Sequence, residues 1–151
     1  MAHALVKIFI HFVWSTKGCE PLLSNENRET VKNHLKEYAG ENSINVTSIA
    51  VRPEHVHLVS SLSRSQRIED VMKLVKGESS HWVNQNGLIR SRFSWQTGYW
   101  AGSVCYQHVD RLREYIERQD DHHRTKTFRE EFEEILRRDG YNQVEIDTML
   151  R

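Results

Sequence analysis

The sequence predicts an α+β fold of the ferredoxin-like kind, β-α-β-β-α-β in order, with a further helix and a C-terminal helix appended. Three observations carry this. Apolar residues alternate with period two through 4–14, 44–51 and 55–62, the mark of strands. Between the first and second of these, and after the third, apolar residues recur at helical spacing instead. An aromatic-rich stretch over 92–103 then offers a fourth strand. In this arrangement the first and third strands lie side by side at the sheet centre, and two helices cover one face.

The first strand places Val6, Ile8, Ile10, Phe12 and Trp14 on one face and Leu5, Lys7, Phe9, His11 and Val13 on the other. A strand apolar on both sides belongs at the centre of a covered sheet. A loop with Gly18 and Pro21 follows, and Ser24 is an N-cap for a helix over 25–39, buried through Val31, Leu35 and Tyr38 and stopped at Gly40. After the second strand, Pro53 fixes its own φ and pushes Arg52 into extended conformation, so 52–54 reads as a turn. The third strand, 55–62, points Val56, Leu58, Ser60 and Leu62 one way and His55, His57, Val59 and Ser61 the other. A helix from Ile68 buries Val71, Met72, Val75, Ser79, Trp82 and Val83 and ends at Asn86-Gly87, with Lys73 and Lys76 off its stripe. The fourth strand is interrupted at Gly98. A helix over 107–121 turns Val109, Leu112, Arg113 and Ile116 inward. The last helix opens on a capping box at Thr127 to Glu130 and closes at Gly140.

At 151 residues the chain is read as one domain, 1–151, with no repeat and no linker. No window reaches the ~18 apolar residues of a membrane span, and the N-terminus lacks the pattern of a signal peptide. Cys19 and Cys105 have no zinc-ligand spacing and are too few for a disulfide scaffold, so the expected setting is a reducing cytoplasm. Net charge is zero, which excludes a global basic field as an argument for nucleic acid. The distribution is less even: residues 64–124 are rich in arginine and lysine, and 129–147 are acidic.

His55 and His57 stand two apart on one strand face, with Cβ atoms about 7 Å from each other. Two imidazoles so placed can converge on one divalent ion. With nine histidines in the chain, a His-x-His triplet arises by chance about half a time, so the pair needs a partner elsewhere. On the third helix Tyr115 and Gln119, four apart, share a side, with Tyr115 at the rim of the buried stripe and free to reach across. By spacing alone Tyr115 is equally an ordinary boundary tyrosine.

His55-Val56-His57 followed by Tyr115-Ile116-Glu117-Arg118-Gln119 resembles the single-tyrosine HUH transposases of small bacterial insertion sequences, the TnpA type that includes REP-associated tyrosine transposases. The likeness runs along the chain through Ile8 to Lys17, Arg52-Pro53-Glu54-His55-Val56-His57-Leu58, Leu74-Val75-Lys76-Gly77 and Trp95-Gln96-Thr97-Gly98-Tyr99 to Gln119-Asp120-Asp121-His122-His123 and the acidic last helix. Arg52 departs from it, since relatives more often carry a small or apolar residue before the proline. The resemblance implies a DNA transposase that cuts and rejoins single-stranded DNA at subterminal hairpins. On the same resemblance Tyr115 is expected as the nucleophile that forms a 5′-phosphotyrosine, with His55, His57 and Gln119 as the holders of Mg²⁺ or Mn²⁺. The resemblance also implies a homodimer in which Tyr115 can act in trans.

His11 faces the pair's side of the sheet and is expected as an outer support rather than a ligand. His122 and His123 read as solvent or phosphate contacts. Lys73, Lys76, Arg90 and Arg92 are the candidate DNA-backbone contacts; Trp95, Tyr99 and Trp100 can stack bases but read better as core. Competing readings are a domesticated relative acting on repeated chromosomal palindromes, and a non-catalytic hairpin-binding module. A metal-dependent hydrolase lacks a carboxylate in the matched motifs to act as general base.

Overall fold

The computed structural model describes residues 3–151; Met1 and Ala2 of the expected domain lie outside them. Four strands, β1 (Ile8–Ser15), β2 (Asn45–Val51), β3 (His55–Leu62) and β4 (Trp100–Val104), form one antiparallel sheet in the order β2-β3-β1-β4. This is the expected α+β arrangement, with β1 and β3 at the centre. The register sets Trp14 opposite Val56, Val13 opposite His57 and Ser15 opposite His55. A bulge at Thr47 shifts β2 against β3, and the Thr47 hydroxyl donates to the Val59 carbonyl.

Period-two alternation divides the sheet into two different cores. On one face Ile10, Phe12, Trp14, Val56, Leu58 and Leu62 pack under α1 (Asn25–Glu41) and α2 (Ile68–Gln85), through Val31, Leu35, Val71, Met72 and Val75. On the other, Val13 and Trp100 pack under α5 (Phe128–Arg138) and α6 (Gln143–Met149), through Phe128, Phe132, Ile135, Leu136 and Ile146. That second face also carries His11, His55 and His57. Between β4 and α5 run a 3₁₀ turn (Tyr106–His108), α3 (Val109–Glu117) and the single turn α4 (Gln119–His122). Among the described residues no helix is long and apolar enough to cross a membrane, and Cys19 and Cys105 are both free and exposed.

Several sequence expectations need correction. β1 begins at Ile8 rather than at 4: the pattern runs on through Leu5 and Val6, but no neighbouring strand reaches them and both are exposed. α1 continues through Gly40 to Glu41, because the left-handed turn after it falls on Ser43 (φ 59°). The fourth strand is only Trp100–Val104. The preceding loop touches the sheet through a bridge between Thr16 and Trp95, and it is pinned by Asn84, which bonds both backbone groups of Phe93. The helix expected over 107–121 breaks at Arg118 (φ −96°, ψ 19°). Thr127 caps α5 from one side only; the reciprocal capping box belongs to Asn142 and Glu145 on α6, which the sequence reading missed.

Trp100 links β4 to the C-terminal end of α5. Its ring lies across Gly102, where a Cβ would stand 2.3 Å from the indole Cζ2, and its Nε1–H donates to Asp139 at 3.1 Å. Gly102→Ala is expected to destabilise the chain by about 1–3 kcal/mol through overpacking. Urea denaturation checks this, and an unchanged midpoint would show that the indole has room to move.

Candidate functional site

β3 leaves the turn at Arg52-Pro53-Glu54 with His55 as its first residue, and the pleat puts His55 and His57 on the α5 side. Both imidazoles are 0% exposed. Each Nδ1 is held from behind, which directs each Nε2 to the same central point. His55 Nδ1–H donates to Glu54 at 2.6 Å, and the ring stacks on Phe128 with centroids 4.0 Å apart. His57 Nδ1 meets His11 Nε2 at 2.9 Å, so a proton on that Nδ1 leaves Nε2 with a lone pair for the centre.

From the other side of the centre, α3 presents Tyr115, α4 presents Gln119 and α5 presents Glu131. The His57 Nε2 lies 3.0 Å from Glu131 Oε1, and His55 Nε2 lies 3.6 Å from the same oxygen and 3.3 Å from Gln119 Oε1. The Gln119 amide N–H and the Tyr115 hydroxyl both donate to Glu131 Oε2. Tyr115 and Gln119 thus share one partner across the helix break at Arg118. His123 closes the ring: its Nε2 is 2.9 Å from Gln119 Oε1 and its Nδ1 2.8 Å from the Lys126 carbonyl.

The electrostatics follow from burial. Burial pushes the His55 imidazole down to about 4, with the Glu54 hydrogen bond working against it. Burial, helped by His57, also holds His11 well below the ordinary histidine range. Both rings are thus neutral at pH 7. Burial pushes the Tyr115 phenol well above its ordinary range, and the Glu131 charge and hydrogen bond add to this. Burial alone would raise Glu131, but its polar contacts, with His123 first, then His57 and Tyr115, outweigh it and hold the carboxyl well below the usual range.

A metal ion fits the donor set. Ligand atoms of His55, His57 and Glu131 lie within 4.8 Å of one another, and the Gln119 amide oxygen faces the same point. The structure thus brings together His55, His57, Tyr115 and Gln119, with His11 behind them, and adds two residues the sequence reading placed elsewhere. In the sequence Glu131 is one acidic residue of an acidic helix and His123 a candidate solvent or phosphate contact. Glu131 supplies a carboxylate that the matched motifs lack, since it lies beyond residues 4–119.

The other candidates lie apart from it. Lys73 and Lys76 stand on α2, across the sheet from the histidines. Lys73 is exposed, whereas the Lys76 ammonium donates to the carbonyls of Gln96, Thr97 and Gly98 at 2.8–3.2 Å. Lys76 therefore fastens the loop before β4, and burial lowers it to about 8. Arg90 and Arg92 are exposed in that loop. Trp95 and Trp100 are buried, and Trp95 Nε1–H donates to Ser79 at 2.9 Å, so these rings serve as core. Two clefts flank α5. One of about 460 Å³ is lined by Arg52, Glu54, His123, Lys126 and Arg129; the other, about 410 Å³, by His11, Arg111, Tyr115 and Arg138.

Comparison with known proteins gives concordant results. The family model described as "Transposase IS200 like" matches residues 4–119. The ISDra2 transposase TnpA of Deinococcus radiodurans is 29% identical over 116 residues, covering 74% of this chain and 83% of that protein. A crystal structure assigned to a transposase from Deinococcus radiodurans R1 matches with a TM-score of 0.64 at 23% identity, over 79% of this chain and 95% of that one. A REP-associated tyrosine transposase bound to a REP hairpin matches with a TM-score of 0.60 at 15% identity, over 82% of this chain and 73% of that one. At those identities the two structures speak for the fold.

The buried imidazoles predict an acid-sensitive fold. With the folded pKa of His55 near 4 against 6.5 unfolded, the unfolded chain binds more protons throughout that window, so stability falls as pH is lowered through it. The full gap corresponds to about 3 kcal/mol for His55 alone, His11 acts in the same direction, and Glu131 extends the loss below 4.5. Thermal unfolding at pH 7, 6 and 5 should show a falling midpoint; a rising one would contradict neutral, buried histidines.

Proposed function

The chain belongs to the family of IS200-like transposases, and on that premise we propose that it cleaves and rejoins single-stranded DNA through a covalent 5′-phosphotyrosine at Tyr115. The observation that carries this reading is the convergence of the Tyr115 hydroxyl, the His55 and His57 Nε2 atoms and the Gln119 amide at one buried carboxylate. A binding module has no use for such a set. A neighbour bound to a REP hairpin supports a hairpin-bearing substrate.

His55, His57, Gln119 and Glu131 are the residues that would hold Mg²⁺ or Mn²⁺. Such an ion, when bound, polarises the scissile phosphate and favours the phenolate of Tyr115. The three-ligand set of two imidazoles and an amide is neutral; Glu131 makes it anionic, which tightens ion binding and leaves less positive charge for the phosphate. The histidines favour Mn²⁺ in affinity.

The chain's own groups then divide the work. A buried phenol beside a carboxylate resists ionising in advance, so the proton leaves as the bond to phosphorus forms. Glu131 Oε2, already accepting the Tyr115 hydrogen bond, is placed to take it. The bond from phosphorus to the 3′ oxygen breaks, and that oxygen departs as a 3′-OH with a proton from solvent. The phosphate stays on Tyr115, so the reverse attack by a 3′-OH rejoins the strand without a further energy source. His11 and Glu54 fix the rings that face the phosphate. Because both histidines are fully covered by the α5 layer, a strand reaches them through the flanking clefts or after α5 shifts.

Incubation with a single-stranded oligonucleotide spanning a palindrome beside the gene, in Mn²⁺, should give a covalent protein–DNA adduct that Tyr115→Phe abolishes. His11→Ala should weaken metal affinity or rate by about 10- to 100-fold. Cut DNA without adduct would assign the attack to water activated at Glu131, and an adduct surviving Tyr115→Phe would remove the nucleophile. We further read Tyr115 as serving the histidines of its own chain. A mixture of Tyr115→Phe and His57→Ala proteins should then stay inactive, whereas restored activity would show exchange of α3 between protomers.

A further inference from the structure

Arg52 is engaged beside the histidine site rather than within it. It lies in the turn before β3 and points its guanidinium at Asp120, the residue after Gln119. Arg28, on the first turns of α1, reaches the same Asp120 oxygen at 3.2 Å and donates to Asn25 at 2.6 Å. Both arginine side chains are only 17% exposed, while Asp120 is 70% exposed. The Nε of each arginine is buried without a hydrogen-bond partner among the described residues. Glu29 and Glu117 also line this cleft, but neither pairs with either guanidinium among the described residues.

Two largely buried cations therefore share one solvent-facing anion. For structural pinning this is a poor arrangement: an exposed carboxylate contributes little, and two like charges are brought together around it. For a polyanion it is a favourable one. Planar guanidinium forks match the paired oxygens of a phosphodiester, and arginines held in place lose little entropy on binding. The position also matters, since Asp120 adjoins Gln119 and the cleft opens beside the histidine site.

We propose that Arg28 and Arg52 form a clamp for one backbone phosphate of a single strand, next to the bond that is cut, with Asp120 holding the place until the strand displaces it. This rests on the DNA-cleaving reading above. It predicts an unusual sign: removing an acidic residue beside the site should strengthen DNA binding by removing a competitor, in the same way that losing the arginines weakens it.

The test is fluorescence anisotropy with a labelled mixed-sequence single strand over a salt series, alongside the adduct assay. Arg28→Gln with Arg52→Gln should weaken binding several-fold and reduce the slope of log affinity against log salt by about 0.7, one phosphate contact on a single strand. Asp120→Asn should raise affinity several-fold and enlarge the rise in Tm that the strand produces. If the cluster is only a latch, Asp120→Asn lowers Tm without any gain in affinity, and the clamp is refuted. An adduct in the wild type with an unchanged slope in the arginine variants refutes the clamp and leaves the transposase reading intact. No adduct in the wild type, with the slope still falling in the arginine variants, refutes the cleavage reading and keeps a phosphate site.

Discussion

The Glu131 carboxylate is where the polar interior of this protein converges. It accepts from Tyr115 and Gln119 through one oxygen and faces His57, His55 and His123 through the other. Each buried polar group left without a partner costs about 1–3 kcal/mol, so the arrangement holds only if every member is present. Through it β3, α3, α4 and α5 are tied to one point. The carboxylate is thus both the fastening of the α5 layer and the negative charge to which a cation would be drawn.

The two faces of the sheet explain why such a site is affordable. The face under α1 and α2 is dominated by apolar side chains, from Phe12 and Trp14 to Val71 and Val75, with Ser60 and Ser79 its buried polar members. It supplies the hydrophobic burial that a polar second face does not. On that second face an apolar cluster under α5 and α6 stands beside three buried histidines, and Phe128 belongs to both, packing on Phe132 and stacking on His55. Loosening α5 would expose the site without unpacking the opposite core.

Much of this was legible in the sequence, and the failures have physical causes. The bounds of β3 could be read because Pro53 dictates the turn and the alternation after it is unbroken. The pairing of Tyr115 with the histidines came from a resemblance over the chain, since spacing alone left Tyr115 an ordinary rim residue. Glu131 stayed hidden because an acidic residue on an acidic helix carries no local mark, and it lies twelve residues past Gln119, where the family match ends. Lys76 misled because periodicity says where a side chain starts, not which carbonyls its far end reaches. The break at Arg118 and the left-handed Ser43 are backbone choices made by tertiary packing, which propensity does not see.

In the proposed site His55 and His57 present their Nε2 atoms to one divalent ion, completed by Gln119 and Glu131 of the same chain. Pulsed electron paramagnetic resonance on the Mn²⁺-loaded protein reads this directly, by counting the imidazole nitrogens coupled to the ion. Two equivalent couplings are predicted, falling to one in His57→Ala and remaining two in Tyr115→Phe. A spectrum without imidazole coupling, or one that His57→Ala leaves unchanged, would contradict the account.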